Sequence, residues 1–324
     1  MRKIIVQILT IMFFGNVVLA TESKMEYRTK SDIKGNPKTI MQIHYKSINL
    51  TDTLTKEDVD YAFFSEINKK GYVTVSRHYI SLDSLLEKSV YLYNKRNDLV
   101  DVSFYDSAEN LKWKRAYVYN KKGKLTERED ICKDSSCYEK EIYKHIGNVT
   151  SVYFYDIDGK LKYYTENYAR KNNKIKLLYS SDGKLLSKEQ YEFDKKGNIL
   201  KYSRYNGENY LQDEQIYEYD KNGNLLGISL PTDFLIKNRK STYKYDDRGY
   251  LSEYAYLNYD AGFKFTYSYN EFGLLIEEIC YKDEVLDSKT TYKYDSKGNW
   301  IEKTVYEKDN LKKVTQRQID YYTI

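Results

Sequence analysis

Residues 217–226 read Tyr-Glu-Tyr-Asp-Lys-Asn-Gly-Asn-Leu-Leu, and close copies begin at 191 (YEFDKKGNI), 243 (YKYDDRGYL) and 292 (YKYDSKGNW). An Asp followed three residues later by Gly can open either a metal loop or a tight turn. A calcium loop of the EF-hand type needs oxygen ligands alternating along a twelve-residue loop and a closing Glu. Asp156-Ile157-Asp158-Gly159 makes such a beginning, but no copy supplies the remaining ligands. Lysines crowd the other turns: Lys121, Lys122, Lys195, Lys196, Lys221 and Lys297. No metal is therefore expected. A turn, by contrast, accounts for every position. Asp or Asn accepts hydrogen bonds from the backbone just ahead of it in a type I turn. Two residues tolerant of the right-handed region follow, and Gly takes the left-handed conformation as a bulge that closes the hairpin. The next Leu, Ile or Trp re-enters a strand, where Leu225 can face Tyr219.

The turn glycines then set a period. They fall at Gly71, Gly123, Gly159, Gly183, Gly197, Gly223, Gly249, Gly273 and Gly298, with Asn97 filling one gap. Positions 223 and 249 are 26 apart, 249 and 273 are 24 apart, and 273 and 298 are 25 apart. Turn-like clusters lie midway, at residues 107–110, 133–136, 171–173, 206–209, 261–262 and 308–310. Each unit is then one strand of about eight or nine residues plus a short turn, the pattern of an all-β chain. Within strands the apolar residues alternate. Phe263, Phe265, Tyr267 and Tyr269 share one face; Lys264, Thr266 and Ser268 share the other. Counting hairpins from Met25 gives roughly 22 to 24 strands, and open sheets rarely exceed about ten. The expected fold is a long antiparallel meander of hairpins curled into a spiral or half-pipe, or at the limit a large barrel, with the tyrosine face concave. The best helical candidate is Ser81 to Leu92.

The flanks and composition narrow the setting. Arg2 and Lys3, an apolar run from Ile4 to Gly15 and Val18-Leu19-Ala20 form a signal peptide, residues 1–20, with cleavage expected after Ala20. The run is short for a bilayer, so no membrane span is expected once it is removed. The protein is expected to be secreted or periplasmic, or to sit at the cell surface. Residues 21–90 read as divergent N-terminal repeats or a cap, because Asn68-Lys69-Lys70-Gly71 matches Asn120-Lys121-Lys122-Gly123. Residues 91–324 form the hairpin-repeat domain. Without the leader, 51 basic residues face 48 acidic ones, since Arg2 and Lys3 are two of the 53. The charges are interspersed, which argues against nucleic acid as a partner. The 38 tyrosines are the compositional oddity, and Tyr suits a strand surface that is apolar at the ring and wet at the hydroxyl. Cys132 and Cys137 bracket a turn-like tetrapeptide and could form a disulfide, leaving Cys280 as a buried thiol; the alternative, a zinc site, lacks a second pair.

These residues also carry a likeness. YEYDKNGNLL, YKYDDRGYL and YKYDSKGNW resemble the tyrosine–aspartate (YD) repeats of bacterial Rhs proteins and eukaryotic teneurins, over residues 91–324 and most closely over 191–301. The resemblance implies a spiralling β-shell that encloses a toxin domain or serves as a cell-surface binding scaffold. A toxin domain after Ile324 is not expected. Neither Pro37 nor Pro231 follows an Asp, so the self-cleaving Asp-Pro segment of that family has no counterpart here. About 300 residues also look too few for a closed cocoon with cargo. Asp158-Gly159-Lys160-Leu161 and Asp182-Gly183-Lys184-Leu185 are similar to the shorter hairpin repeats of MORN-like proteins.

No catalytic motif stands out. His44, His78 and His145 are far apart in sequence, and Gly-x-Ser-x-Gly and phosphate-binding glycine loops are absent. No cofactor is expected. Three functions remain: a non-enzymatic binding or scaffold module for a protein or glycan, a glycan-acting enzyme with carboxylates on the concave face, and an outer-membrane barrel.

Overall fold

The computed structural model describes residues 33–46, 54–133, 138–231, 239–258 and 261–323. The expected leader, its cleavage position Ala20, and Cys137 lie outside the described residues. Strands follow one another almost without interruption. The first six are β1 (Pro37–Tyr45), β2 (Val59–Ile67), β3 (Val73–Ser81), β4 (Ser84–Tyr93), β5 (Leu99–Asp106) and β6 (Leu111–Tyr119). Next come β7 (Leu125–Cys132), β8 (Tyr138–Ile146), β9 (Val149–Tyr155), β10 (Leu161–Arg170), β11 (Asn173–Ser180) and β12 (Leu185–Phe193). They are followed by β13 (Ile199–Asn206), β14 (Leu211–Tyr219), β15 (Leu225–Leu230), β16 (Arg239–Tyr245) and β17 (Leu251–Asn258). The last five are β18 (Ala261–Tyr269), β19 (Leu275–Lys282), β20 (Val285–Tyr294), β21 (Trp300–Glu307) and β22 (Asn310–Tyr321). The stretch from Ser81 to Leu92, expected as the best helical candidate, lies in the β3–β4 hairpin instead. The helical element among the described residues is a single 3-10 turn, Lys56–Asp58.

The repeated phrase folds position by position. Asp220 accepts a backbone bond from Gly223 at 3.0 Å, and its Oδ1 accepts the amides of Asn222 and Asn224, each at 2.8 Å. Gly223 sits at φ +90, and the register then shifts so that Tyr219 faces Leu225. A β-carbon at that φ would crowd the backbone, which is why Gly stands there. All nine repeat glycines have φ between +71 and +90. The second tyrosine has a further role. Its hydroxyl donates to the carbonyl of the residue that opened the previous long hairpin: Tyr119 to Leu99 at 2.9 Å, Tyr219 to Ile199 at 2.8 Å, Tyr245 to Leu225 at 2.9 Å and Tyr269 to Leu251 at 2.9 Å. The register shifts at that rim, and the phenol supplies a side-chain donor to the carbonyl at the end of the neighbouring strand.

Each strand pairs antiparallel with the next, and β22 returns to β1 along Thr39↔Asp320 to Tyr45↔Val314. The sheet therefore closes into a barrel of 22 strands, correcting the expectation of an open spiral or half-pipe. Closure satisfies the two rows of backbone donors and acceptors that a spiral would leave at its edges. A ring of 22 strands, spaced at about 4.8 Å, has a circumference of at least about 105 Å and, if circular, a diameter of about 34 Å. A circular ring of that width would hold facing side chains apart. The substantial contacts accordingly join ring neighbours, and the buried apolar residues form small clusters on the wall, such as Leu99–Val102–Tyr117 and Tyr45–Val59–Val314.

Candidate functional site

A barrel wall offers two surfaces, and the register assigns every side chain to one of them. On one surface burial dominates. It raises the hydroxyls of Tyr243 and Tyr267, pushes those of Tyr202 and Tyr292 up to about 12, and raises the carboxyls of Glu141 and Glu278. On the other surface pairing dominates: hydrogen bonds donated to Glu127, Glu214 and Glu277 hold Lys140, Lys201 and Lys289 charged. In a closed ring the concave face is surrounded by its own walls, so the surface with the more desolvated tyrosines is assigned to the inside.

The outer surface is laced with ion pairs within the strands. Among them are Lys114–Asp101 at 2.7 Å, Lys201–Glu214 at 2.6 Å, Lys244–Glu253 at 2.7 Å and Lys293–Glu302 at 2.6 Å. Aromatic residues are not confined to the inside, contrary to the simple alternation expected. Tyr153, Tyr164 and Tyr179 stand side by side on the outer face at 5.5 and 4.8 Å, with the Lys144 ammonium 4.7 Å from the Tyr153 ring centre. Lysine stems and ammonium groups let tyrosine face water there.

The inner surface has three sectors. From β12 to β20 it is aromatic. Ring centres lie at 5.0 Å for Tyr191–Tyr202, 4.8 Å for Tyr243–Tyr254, 5.9 Å for Tyr254–Phe265 and 5.3 Å for Tyr256–Phe263, most of them nearly parallel. These separations are close to the spacing between strands. Ring faces thus cover one another, and edges and hydroxyls are left for the lumen. From β6 to β8 the sector is ionic. Arg115 grips Asp130 with two bonds of 2.7 Å, and Arg128 reaches Glu139 and Glu141 at 3.1 Å each and Asp130 at 3.6 Å. Tyr143 also donates to Glu141. Burial works against the charge of Arg128, but Glu141 and Asp130 more than offset it. The Nε of Arg128 is buried without a hydrogen-bond partner.

The third sector spans the seam where β22 meets β1, from β20 to β3. His44 stacks on Tyr61 at 4.2 Å, and His78 stacks on Phe63 at 4.4 Å. The two histidines thus share one aromatic patch across β2, a juxtaposition that their distance in sequence concealed. Burial, followed by Lys313, lowers His44 to about 4, so its ring is neutral at pH 7. His145 lies elsewhere, with ring nitrogens 3.0 Å from the Thr150 hydroxyl and 2.8 Å from the Leu125 carbonyl. Cys132 is disulfide-bonded, although its candidate partner lies outside the described residues. Cys280 is a buried free thiol, and burial pushes it up to about 11. Among the described residues no group of three or more His, Cys, Asp or Glu side chains is placed to hold a metal ion.

The fold and wall define a closed meander of YD-type hairpins. Residues 171–317, a little under half of the chain, match the family model for the teneurin YD-shell, in line with the repeats read from the sequence. No curated protein matches the sequence. Among solved structures, the chain is similar to a TcdB2–TccC3–Cdc42 complex at 12% identity and a TM-score of 0.32, over 85% of this chain and 19% of that one. It is likewise similar to a Tc holotoxin pore of Photorhabdus luminescens at 12% identity and a TM-score of 0.32, over 85% and 18%. A porin-like protein of Bacteroides uniformis aligns at 10% identity and a TM-score of 0.30, over 88% and 96%. The chain thus spans about a fifth of the Tc chains.

Proposed function

We propose that this chain is a non-enzymatic binding or scaffold module whose inner wall holds a protein or glycan partner, and that it acts as a secreted, periplasmic or cell-surface protein. The observation that carries this reading is the aromatic sector, in which Tyr191, Tyr202, Tyr217, Tyr243, Tyr254, Tyr267 and Tyr292 share one face of the closed wall and burial raises the hydroxyls of Tyr202, Tyr243, Tyr267 and Tyr292. A wall of phenol hydroxyls offers both donors and acceptors, which suits sugar hydroxyls and peptide groups alike. Because ring faces are mutually covered, recognition runs through hydroxyls more than through stacking. The YD-shell match supports the same reading, because a shell of hairpins needs no catalytic group to do its work.

The test removes hydroxyls without removing rings. A Tyr254→Phe, Tyr256→Phe, Tyr267→Phe variant should keep the β-sheet signal and lose signal on a glycan array or in a pull-down. Unchanged binding in every assay would overturn the proposal. A membrane-spanning barrel is disfavoured by the outer surface, because a lipid-facing wall carries an apolar band about 25 Å tall. Here Lys244–Glu253 and Lys293–Glu302 pairs stand within the strands instead. Recovery in the soluble fraction after osmotic shock, without detergent, is the expected outcome.

A further inference from the structure

The seam sector holds three cations on the inner wall, Lys303, Lys313 and Arg317, and none has an ion pair among the described residues. This contrasts with the ionic sector, where each guanidinium has carboxylates beside it. Register brings the three together. Lys303 faces Thr315 across β21–β22, Lys313 and Arg317 flank Thr315 on β22, and Thr315 faces His44 on β1. All three cations act electrostatically on His44. Two carboxylates stand in electrostatic reach of the group: Asp60 acts on His44, and Lys303 acts on Glu278, two strands away on β19.

Arg317 is the best-built element of the group. Its guanidinium carbon lies 3.4 Å from the centre of the Trp300 ring, and its Nε donates to Gln42 Oε1 at 2.8 Å. Trp300 fixes the plane and Gln42 fixes the rotation. The two terminal nitrogens have no acceptor among the described residues and are not sealed from solvent. A planar fork with two free N–H edges matches an oxyanion in bidentate fashion. Lys313 is steadied by the Tyr61 hydroxyl at 3.1 Å, and Lys303 lies 5.6 Å from the Tyr292 ring centre. Burying cations without counter-charge is costly, and burial alone pushes the Arg317 guanidinium down. A bound anion would relieve that cost.

We infer that the seam wall is a binding site for a tetrahedral oxyanion, the sulfate or phosphate group of a larger ligand, held by Arg317 in its two-point grip with Lys303 and Lys313 at its sides. The site does not depend on what occupies the tyrosine sector. Inorganic pyrophosphate and inorganic sulfate are the probes, titrated separately into the full chain by calorimetry at pH 7. Saturable binding of either supports the site, and the tighter of the two identifies the phosphate or sulfate source. Trp113 and Trp300 are the two tryptophans, so a Trp113→Phe variant also reports binding through Trp300 fluorescence. Arg317→Gln should weaken binding by about tenfold or more, since the bidentate contact is lost. Lys293→Gln, on the outer wall, should leave binding unchanged. If Arg317→Gln does not fold, the Lys303→Gln, Lys313→Gln double variant takes its place with the same expected loss. Absence of saturable binding to both probes, or equal affinity in wild type and variants, would overturn the inference.

Discussion

Tyr219 explains why tyrosine precedes aspartate in the repeated phrase. Its ring faces Leu225, and its hydroxyl satisfies the Ile199 carbonyl at 2.8 Å. Tyr219→Phe keeps the ring and should cost about 1 kcal/mol in urea unfolding, the net value of one hydrogen bond. Alternation and turn chemistry made the tyrosine and the glycine legible in the sequence, but this hydroxyl bond was not, because its acceptor lies 20 residues upstream on another strand. Glycine positions separate two costs. At Gly249 an added β-carbon meets nothing within 4 Å, so Gly249→Ala measures the φ of +83 alone, about 1 kcal/mol. At Gly273 the same carbon would stand 2.1 Å from the Tyr250 hydroxyl and 2.6 Å from its ring. Gly273→Ala should therefore cost on the order of 1 kcal/mol more, as Tyr250 leaves its stack on Tyr269. Turn carboxylates add a pH dependence. Backbone donation from Asn224 to Asp220 and from Asn110 to Asp106 holds both carboxyls below their usual range. Groups depressed in the folded state stabilise it above the unfolded value, near pH 4, and that stability is lost as pH falls through the folded value. Thermal melts should thus drop steeply below about pH 4, and Asp220→Asn should flatten that drop while keeping its turn acceptor.

Strands show which patterns can be read in advance. Period-two alternation is a local property, so the β18 face of Phe263, Phe265 and Tyr267 was readable. The ionic sector was not, because its members alternate with other charges in a chain that is 31% charged, and only register shows which of them meet. Arg115 and Asp130 face each other across β6–β7, and Arg128 faces Glu141 across β7–β8. Glu141 is 5% exposed, so its charge depends on Arg128. Arg128→Met should lower stability by about 3 to 5 kcal/mol, the cost of a buried charge that has lost its partner. Adding Glu141→Leu to that variant should recover much of the loss. If the single and double variants unfold at the same urea concentration, the network is not the unit described.

At the scale of the whole molecule, strand number and closure have different origins. The period of about 25 residues fixes the number, which is why a count of 22 to 24 could be made before the fold was known. Closure depends on β1 meeting β22, strands separated by almost the whole chain, through backbone groups that every strand possesses. Nothing local distinguishes that pair from two free edges. The signals that lock it are long-range and polar: Asn299 Oδ1 accepts the Lys34 amide at 2.8 Å, Asn299 Nδ2 donates to the Lys34 carbonyl at 3.0 Å, and the Tyr322 amide donates to Asn36 O at 3.1 Å. Closure also gives the wall an inside and brings His44 of β1 beside Thr315 of β22. Removing β22 would leave β1 and β21 as open edges with unpaired donors and acceptors, and open edges recruit other chains. A chain ending at Asp309 should therefore elute as dimers or larger assemblies in size-exclusion chromatography with light scattering, whereas the full chain should remain monomeric. A monomeric, fully folded truncation would show that the ring holds without its last strand, and that the seam is a consequence of the wall's curvature rather than the contact that completes it.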